Sequence, residues 1–145
     1  MRVEICGVTK SFGDRLLLDE VNASFNEGEV SVILGESGQG KTTLLNIIGL
    51  YEPTDSGQVK FDGRDVSALS KNQIRKVIRN QVAYIYQDIR LFDNLSVWEN
   101  LAVALKFSRV PKSEYKAKIA KFLALVGLSN FEKAGVAQLS GGEKQ

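Results

Sequence analysis

Cysteine is almost absent from this chain. Cys6 is the only one in 145 residues, which leaves no disulfide framework and no thiolate metal site, and fits a reducing cytoplasm. Long apolar runs are missing too. The longest, around Leu44 to Leu50, is interrupted by Asn46 and falls far short of the ~20 residues a membrane-spanning helix needs, so membrane association is expected to come through a partner. The opening Met1-Arg2-Val3-Glu4-Ile5-Cys6 places an acid early and offers no apolar h-region, so no secretory signal is expected. Charge of one sign is not in excess. Lys and Arg number 19 against 17 Asp and Glu, and the formal net charge of +2 implies no particular partner. The basic residues are dispersed, and Arg75-Lys76-Val77-Ile78-Arg79 reads as a solvated helix face rather than a nucleic-acid site. Neither an internal repeat nor a low-complexity linker is visible. Hydrophobic residues at 43% and charged residues at 25% are ordinary globular composition, so disorder is not the default. The length suits one domain with a real core.

What is present is a glycine loop in a telling context. Gly35-Glu36-Ser37-Gly38-Gln39-Gly40-Lys41-Thr42 has the GxxxxGK[ST] spacing, preceded by the apolar run Glu29-Val30-Ser31-Val32-Ile33-Leu34 and followed by Thr43-Leu44-Leu45-Asn46-Ile47-Ile48. The first run reads as a buried strand and the second as an apolar helix. The glycines let several backbone N–H groups converge on phosphate oxygens, and the helix beginning near Lys41 aims its positive dipole end at the same anion. Lys41 would reach the β- and γ-phosphates and Thr42 would ligate Mg²⁺, so the chain is expected to bind ATP or GTP. The bland alternative is a glycine-rich turn with a solvated lysine.

The rest of the chain divides by pattern. Val3 to Val8 reads as a strand. A second strand has Val21, Ala23 and Phe25 alternating with Asn22 and Ser24 up to an Asn26-Glu27-Gly28 turn. Pro53-Thr54-Asp55-Ser56-Gly57 breaks the loop's helix, Gln58-Val59-Lys60-Phe61 is a half-buried strand, and Asp62-Gly63 turns it. Ser70 with Gln73 makes a capping box ahead of Ile74, Val77 and Ile78. Val82-Ala83-Tyr84-Ile85-Tyr86 is a second buried-strand candidate. Beyond Gln87 the pattern is helical. Ser96 and Glu99 form another capping box, with Trp98, Leu101, Ala102 and Leu105 on one face, and that helix should end before Pro111. Ile119, Phe122, Leu123 and Val126 form a stripe closed by Gly127, expected to be core.

Leu139-Ser140-Gly141-Gly142-Glu143-Lys144-Gln145 closes the sequence. After a loop of GxSGxGK[ST]T form, with a glutamine following a strand between the two, it resembles the LSGGE signature of ABC-type ATPases along nearly the whole chain. The resemblance implies an α/β P-loop NTPase core with N-terminal antiparallel strands and a helical subdomain, incomplete at its C-terminus. Residues 1–87 would form the strand-rich subdomain and P-loop core, and residues 88–145 the Q-loop, helical subdomain and signature. It implies ATP and Mg²⁺ as ligands, held by Gly35, Glu36, Ser37, Gly38, Gln39, Gly40, Lys41, Thr42 and Thr43. Phe12 stands where the family usually has a tyrosine that stacks on adenine, and a phenyl face can do the same; an ordinary core or turn aromatic is the alternative. Gln87, in Tyr86-Gln87-Asp88, looks like the Q-loop glutamine that touches Mg²⁺ or the attacking water; a surface glutamine is the alternative. Ser140, Gly141, Gly142 and Glu143 would act in trans, capping ATP on the opposing subunit of a head-to-tail dimer.

The same resemblance implies integral membrane permease subunits as partners and a peripheral position on the cytoplasmic membrane face. Tyr86-Gln87-Asp88, the run from Leu91 to Leu101 and the Leu139–Gln145 ending are similar to bacterial exporters of the lipoprotein-release and macrolide-export type. The family normally continues into an apolar strand ending in Asp-Glu and a switch histidine. The sequence has no histidine, and no candidate general base follows the signature. Little or no hydrolysis is expected from these residues alone, although Lys41 and Gln87 would belong to the catalytic set. Without the Asp-Glu strand an apolar edge beside the P-loop strand is expected, with marginal stability. The leading reading is part of a transport ATPase subunit. Alternatives are a truncated nucleotide-binding module without turnover and a soluble ABC protein acting on ribosomes or DNA. The single P-loop and the lack of a strongly basic patch disfavour the last.

Overall fold

A computed structural model describes residues 1–86 and 90–145. They fall into two units, Met1–Tyr84 and Ile85–Gln145.

The first unit is built on a four-stranded antiparallel sheet in the order β2-β1-β3-β4, from β1 (Val3–Phe12), β2 (Arg15–Phe25), β3 (Ser56–Phe61) and β4 (Arg64–Asp65). β1 and β2 form a hairpin, with Phe12 opposite Arg15 across the two-residue turn Gly13-Asp14. The inward face of β1 carries Val3, Ile5, Val8 and Lys10, all buried. The step of three between Ile5 and Val8 is a register shift in the pairing with β2. Without it Val8 would face solvent. β3 meets β4 through Asp62-Gly63, both with positive φ (49° and 77°), the geometry of a tight hairpin turn. Gly57, at φ 83°, lies so close to β1 that a Cβ there would sit 2.3 Å from the Gly7 carbonyl oxygen, which is backbone that cannot move aside.

The loop's helix, α1 (Lys41–Ile48), buries Leu44 and Ile47 against Ile5, Val59, Phe61 and Val66 of the sheet core. α2 (Lys71–Gln81) starts at Ser70 with the expected capping box but buries none of its residues, and contributes only Val77 to the margin of that core.

Two expected strands are absent. Residues 29–34 and 82–86 are irregular and join no ladder among the described residues. Their apolar pattern is that of strands paired on both sides, and the described residues supply no neighbouring strand for them. Residues 29–34 are largely uncovered: Val30 is 95% exposed, Val32 73% and Leu34 85%, while Ile33 packs on the core margin. Tyr84 is held instead by its side chain, donating to Asn46 Oδ1 at 2.7 Å and meeting Tyr51 edge-on with ring centroids 5.1 Å apart.

The second unit is helical, with α3 (Val97–Phe107), α4 (Tyr115–Leu125) and the short α5 (Gly141–Lys144). α3 is capped as its sequence suggests. Ser96 N–H and Oγ both donate to Glu99 Oε2 at 2.7 Å, and Glu99 N–H returns to Ser96 Oγ at 3.2 Å. The next free donors of its first turn, Val97 and Trp98 N–H, reach the carbonyls of Ala134 and Glu132. α3 ends before Pro111, and Gly127 follows α4 at φ 77°. Ile119 and Leu123 are buried with Val97, Leu105 and Leu139. The other half of the expected stripe is not core: Phe122 is 44% exposed and Val126 68%. Val126 already lies past the last helical residue, and α4 packs through a seam narrower than its apolar arc.

Candidate functional site

The glycine loop lies between the uncovered residues 29–34 and α1. Gly38 and Gly40 have φ of 80° and 87°, so the chain doubles back just before the helix. Gly40 caps α1 in the left-handed region, where a Cβ would come within 3.0 Å of Leu17 Cγ and Leu18 Cδ2 and 3.3 Å of the Leu17 carbonyl oxygen. The close approach of β2 to the helix start thus demands glycine. Lys41 turns its ammonium back over the loop and donates to the carbonyls of Gly35 (2.9 Å) and Glu36 (2.6 Å). Thr42, the next residue of α1, is exposed, and Thr43 is half-buried. Gln39 folds into the loop as well. Its Oε1 accepts from Glu36 N–H at 3.0 Å, and its Nε2 donates to Glu36 Oε2 at 3.4 Å. Ser37 is exposed.

The loop is tied to the first hairpin. Arg15 Nη2 donates to the Gly38 carbonyl at 2.9 Å, which brings the turn that carries Phe12 to the glycine loop. Phe12 is 53% exposed, and the Lys10 ammonium lies 5.3 Å from its ring centroid. Lys10 is in turn paired with Glu52 (3.0 Å) and Asp55 (3.2 Å). Those partners, Glu52 first, hold the Lys10 pKa above its ordinary value, while the Ser11 N–H and then Lys10 hold the Asp55 carboxyl below the usual carboxylate range. Sequence patterns single out neither Arg15 nor Lys10 as site residues. Lys10 has a readable signal all the same, being an ammonium at an inward position two residues after Val8, where an unpaired charge is not tolerated. Arg15 has none beyond following the turn.

Gln87 lies outside the described residues. Ser140, Gly141, Gly142 and Glu143 belong to the second unit. Leu139 is buried in its core and Ser140 caps α5, with Ser140 N–H and Oγ donating to Glu143 Oε2 at 2.7 Å. The Ser140 hydroxyl and then its N–H hold Glu143 below the ordinary glutamate pKa. Glu143 is thus engaged in shaping the turn.

A loop of backbone donors in the left-handed region, an ammonium folded over it and a hydroxyl on the following turn make a donor set suited to a polyphosphate with a hard cation. The Cβ-excluding contacts at Gly40 are of the same kind, since they let the main chain approach its neighbours closely. A glycine loop of this form opening a helix beside a sheet is the core of an α/β P-loop NTPase.

Comparison with known proteins narrows the class. Residues 18–145 match the ABC transporter family. The chain belongs to that family. It is 36% identical over 143 residues to the methionine import ATP-binding protein MetN of Legionella pneumophila (strain Lens), covering 99% of this chain and 42% of that protein. It is 36% identical to the Fe(3+) ions import ATP-binding protein FbpC of Escherichia coli (strain K12), with 99% and 39% covered. Against the spermidine/putrescine import ATP-binding protein PotA of Pasteurella multocida (strain Pm70) the identity is 35%, with 99% and 37% covered. Among solved structures it is similar to the ATP-binding cassette MJ0796 in a dimeric post-hydrolysis state bound to ADP and Pi. The TM-score is 0.85 at 30% identity, with 98% of this chain and 65% of that one covered. The chain therefore spans under half the length of these curated relatives. Their names are those of import proteins, and none of these three bears out the exporter resemblance expected from the sequence.

Proposed function

We propose that this chain is the nucleotide-binding part of an ABC transporter's ATP-binding subunit, taking Mg-ATP on the loop at residues 35–42. The observation that carries the reading is the Lys41 ammonium held by the Gly35 and Glu36 carbonyls over a loop whose Gly38 and Gly40 are left-handed. Bound Mg²⁺ would supply charge neutralisation between the terminal phosphates, with Thr42 as its protein hydroxyl. Lys41 exchanges its two carbonyl partners for phosphate oxygens, and the loop N–H groups orient the chain of phosphates. Phe12 offers its open face to the adenine base. By its place in the sequence alone, Gln87 would serve Mg²⁺ or the attacking water. Ser140, Gly141, Gly142 and Glu143 serve a second subunit's nucleotide, in a head-to-tail pair seated on integral membrane permease subunits at the cytoplasmic face.

The relatives support the nucleotide role rather than a cargo. At nearly equal identity, 35% to 36%, their names give an amino acid, a metal ion and polyamines. What the sequences share is the energy-coupling part.

Calorimetric titration with Mg-ATP tests this. The chain binds and Lys41→Ala loses tight binding, since that substitution removes the charge facing the terminal phosphates. Equal affinity in the two proteins would overturn the assignment.

A further inference from the structure

β1 ends in an unusual sequence of side chains on one face. Val8 and Lys10 point into the core and Phe12 continues the same face out of it, following the two-residue period of a strand. A lysine in the innermost row is costly to bury unless it is paired, and Lys10, 7% exposed, has two carboxylates, Glu52 at 3.0 Å and Asp55 at 3.2 Å. Asp55 is itself fixed to the strand: its Oδ2 accepts from Ser11 N–H at 2.7 Å and its N–H donates to the Thr9 carbonyl at 3.0 Å. The ammonium therefore has a set position, and that position is 5.3 Å from the centroid of the Phe12 ring. Phe12 remains 53% exposed, so the ring has surface free for a ligand.

We propose that Lys10 is a specificity-determining positioning residue for the nucleobase: clamped by Glu52 and Asp55 against the Phe12 ring, its ammonium seats and polarises that ring so that the exposed surface stacks on a purine. This rests on the reading of Phe12 as the base-stacking residue. Two physical effects support it. A cation over one face draws the ring's π-density toward itself, which lowers the repulsion between the opposite face and an electron-rich base. The ring is also held in place before the base arrives, so less ordering cost falls on binding. The tie between Arg15 and Gly38 brings this ring to the phosphate loop, so base and phosphates would be read by one continuous surface.

The test is the ratio of affinities for Mg-ATP and for Mg-tripolyphosphate, which carries the phosphates without the base. It is measured by calorimetry on the full chain and on Phe12→Ala, Lys10→Met and Lys10→Arg. Phe12→Ala lowers the ratio if the ring stacks on the base; an unchanged ratio there overturns the stacking reading itself. With that ratio lowered, Lys10→Met is expected to lower it about five-fold while tripolyphosphate affinity stays, and Lys10→Arg to recover most of the loss. A full ratio in Lys10→Met, or equal losses for both ligands, overturns the role of Lys10 and leaves Phe12 standing. If Lys10→Met does not fold, Glu52→Gln, which leaves Lys10 with Asp55 alone, decides the matter: a lowered ratio supports the clamp and an unchanged one overturns it.

Discussion

Arg15 and Gly38 are joined by a hydrogen bond of 2.9 Å from the guanidinium to the glycine carbonyl, linking the first turn of the sheet to the middle of the phosphate loop across 23 residues of sequence. The carbonyl it engages belongs to a residue in the left-handed region, so the bond fixes which way that peptide faces. A peptide facing the other way would present a carbonyl rather than an N–H to an anion.

Arg15→Ala should therefore weaken Mg-ATP binding about three- to ten-fold, the roughly 0.5–1.5 kcal/mol of an ordinary intramolecular hydrogen bond. Stability should change by less than about 0.5 kcal/mol, as for most surface substitutions. Calorimetry and urea unfolding check the two parts separately. Full affinity would show that the loop holds its shape without the tie.

Gly40→Ala should destabilise the first unit by about 1–3 kcal/mol, because the new Cβ enters at φ 87° against Leu17 and Leu18. The urea midpoint falls while the slope stays the same. A wild-type midpoint would contradict the packing described between β2 and α1.

Ser96→Ala removes the cap of α3 and should cost about 1 kcal/mol. The pH dependence has a definite sign. The Ser96 N–H and hydroxyl hold Glu99 below the ordinary glutamate pKa, so the folded state favours the ionised form. That contribution is complete above the unfolded glutamate value and is lost as pH falls through the depressed folded one. Denaturant titrations of both proteins near neutral pH and again in acid should show the difference shrinking in acid. A difference that grew in acid would contradict the capping geometry.

Residues 29–34 expose Val30, Val32 and Leu34 to solvent outside any strand ladder of the described residues. Such a segment pairs with other chains, so association should rise with protein concentration, and Val32→Lys should reduce it. Light scattering over a concentration series measures both. Concentration-independent behaviour of the unmodified chain would contradict the exposure.

How legible the fold is depends on how local each cause is. The Ser70 and Ser96 capping boxes, the Asp62-Gly63 turn and the glycine loop are set by residues within a few positions of one another, and all are visible in the sequence. The apolar runs at 29–34 and 82–86 read as buried strands because their composition is right, but burial depends on neighbours that no local pattern reveals. Phe122 and Val126 depart from expectation for a related reason: helical spacing marks a face, and packing uses only part of it. The contacts that give the site its shape, Arg15 to Gly38 and Lys10 beneath Phe12, join residues whose meeting depends on strand register and a distant loop.

The phosphates of a nucleotide are expected to sit on residues 35–42, and every other functional expectation depends on that. Backbone hydrogen exchange of the loop, followed by mass spectrometry with and without Mg-ATP, tests it most directly. Adding Mg-ATP should strongly protect residues 35–42, and Lys41→Ala should abolish that protection. Unchanged exchange in the loop while the chain demonstrably binds ATP would contradict it.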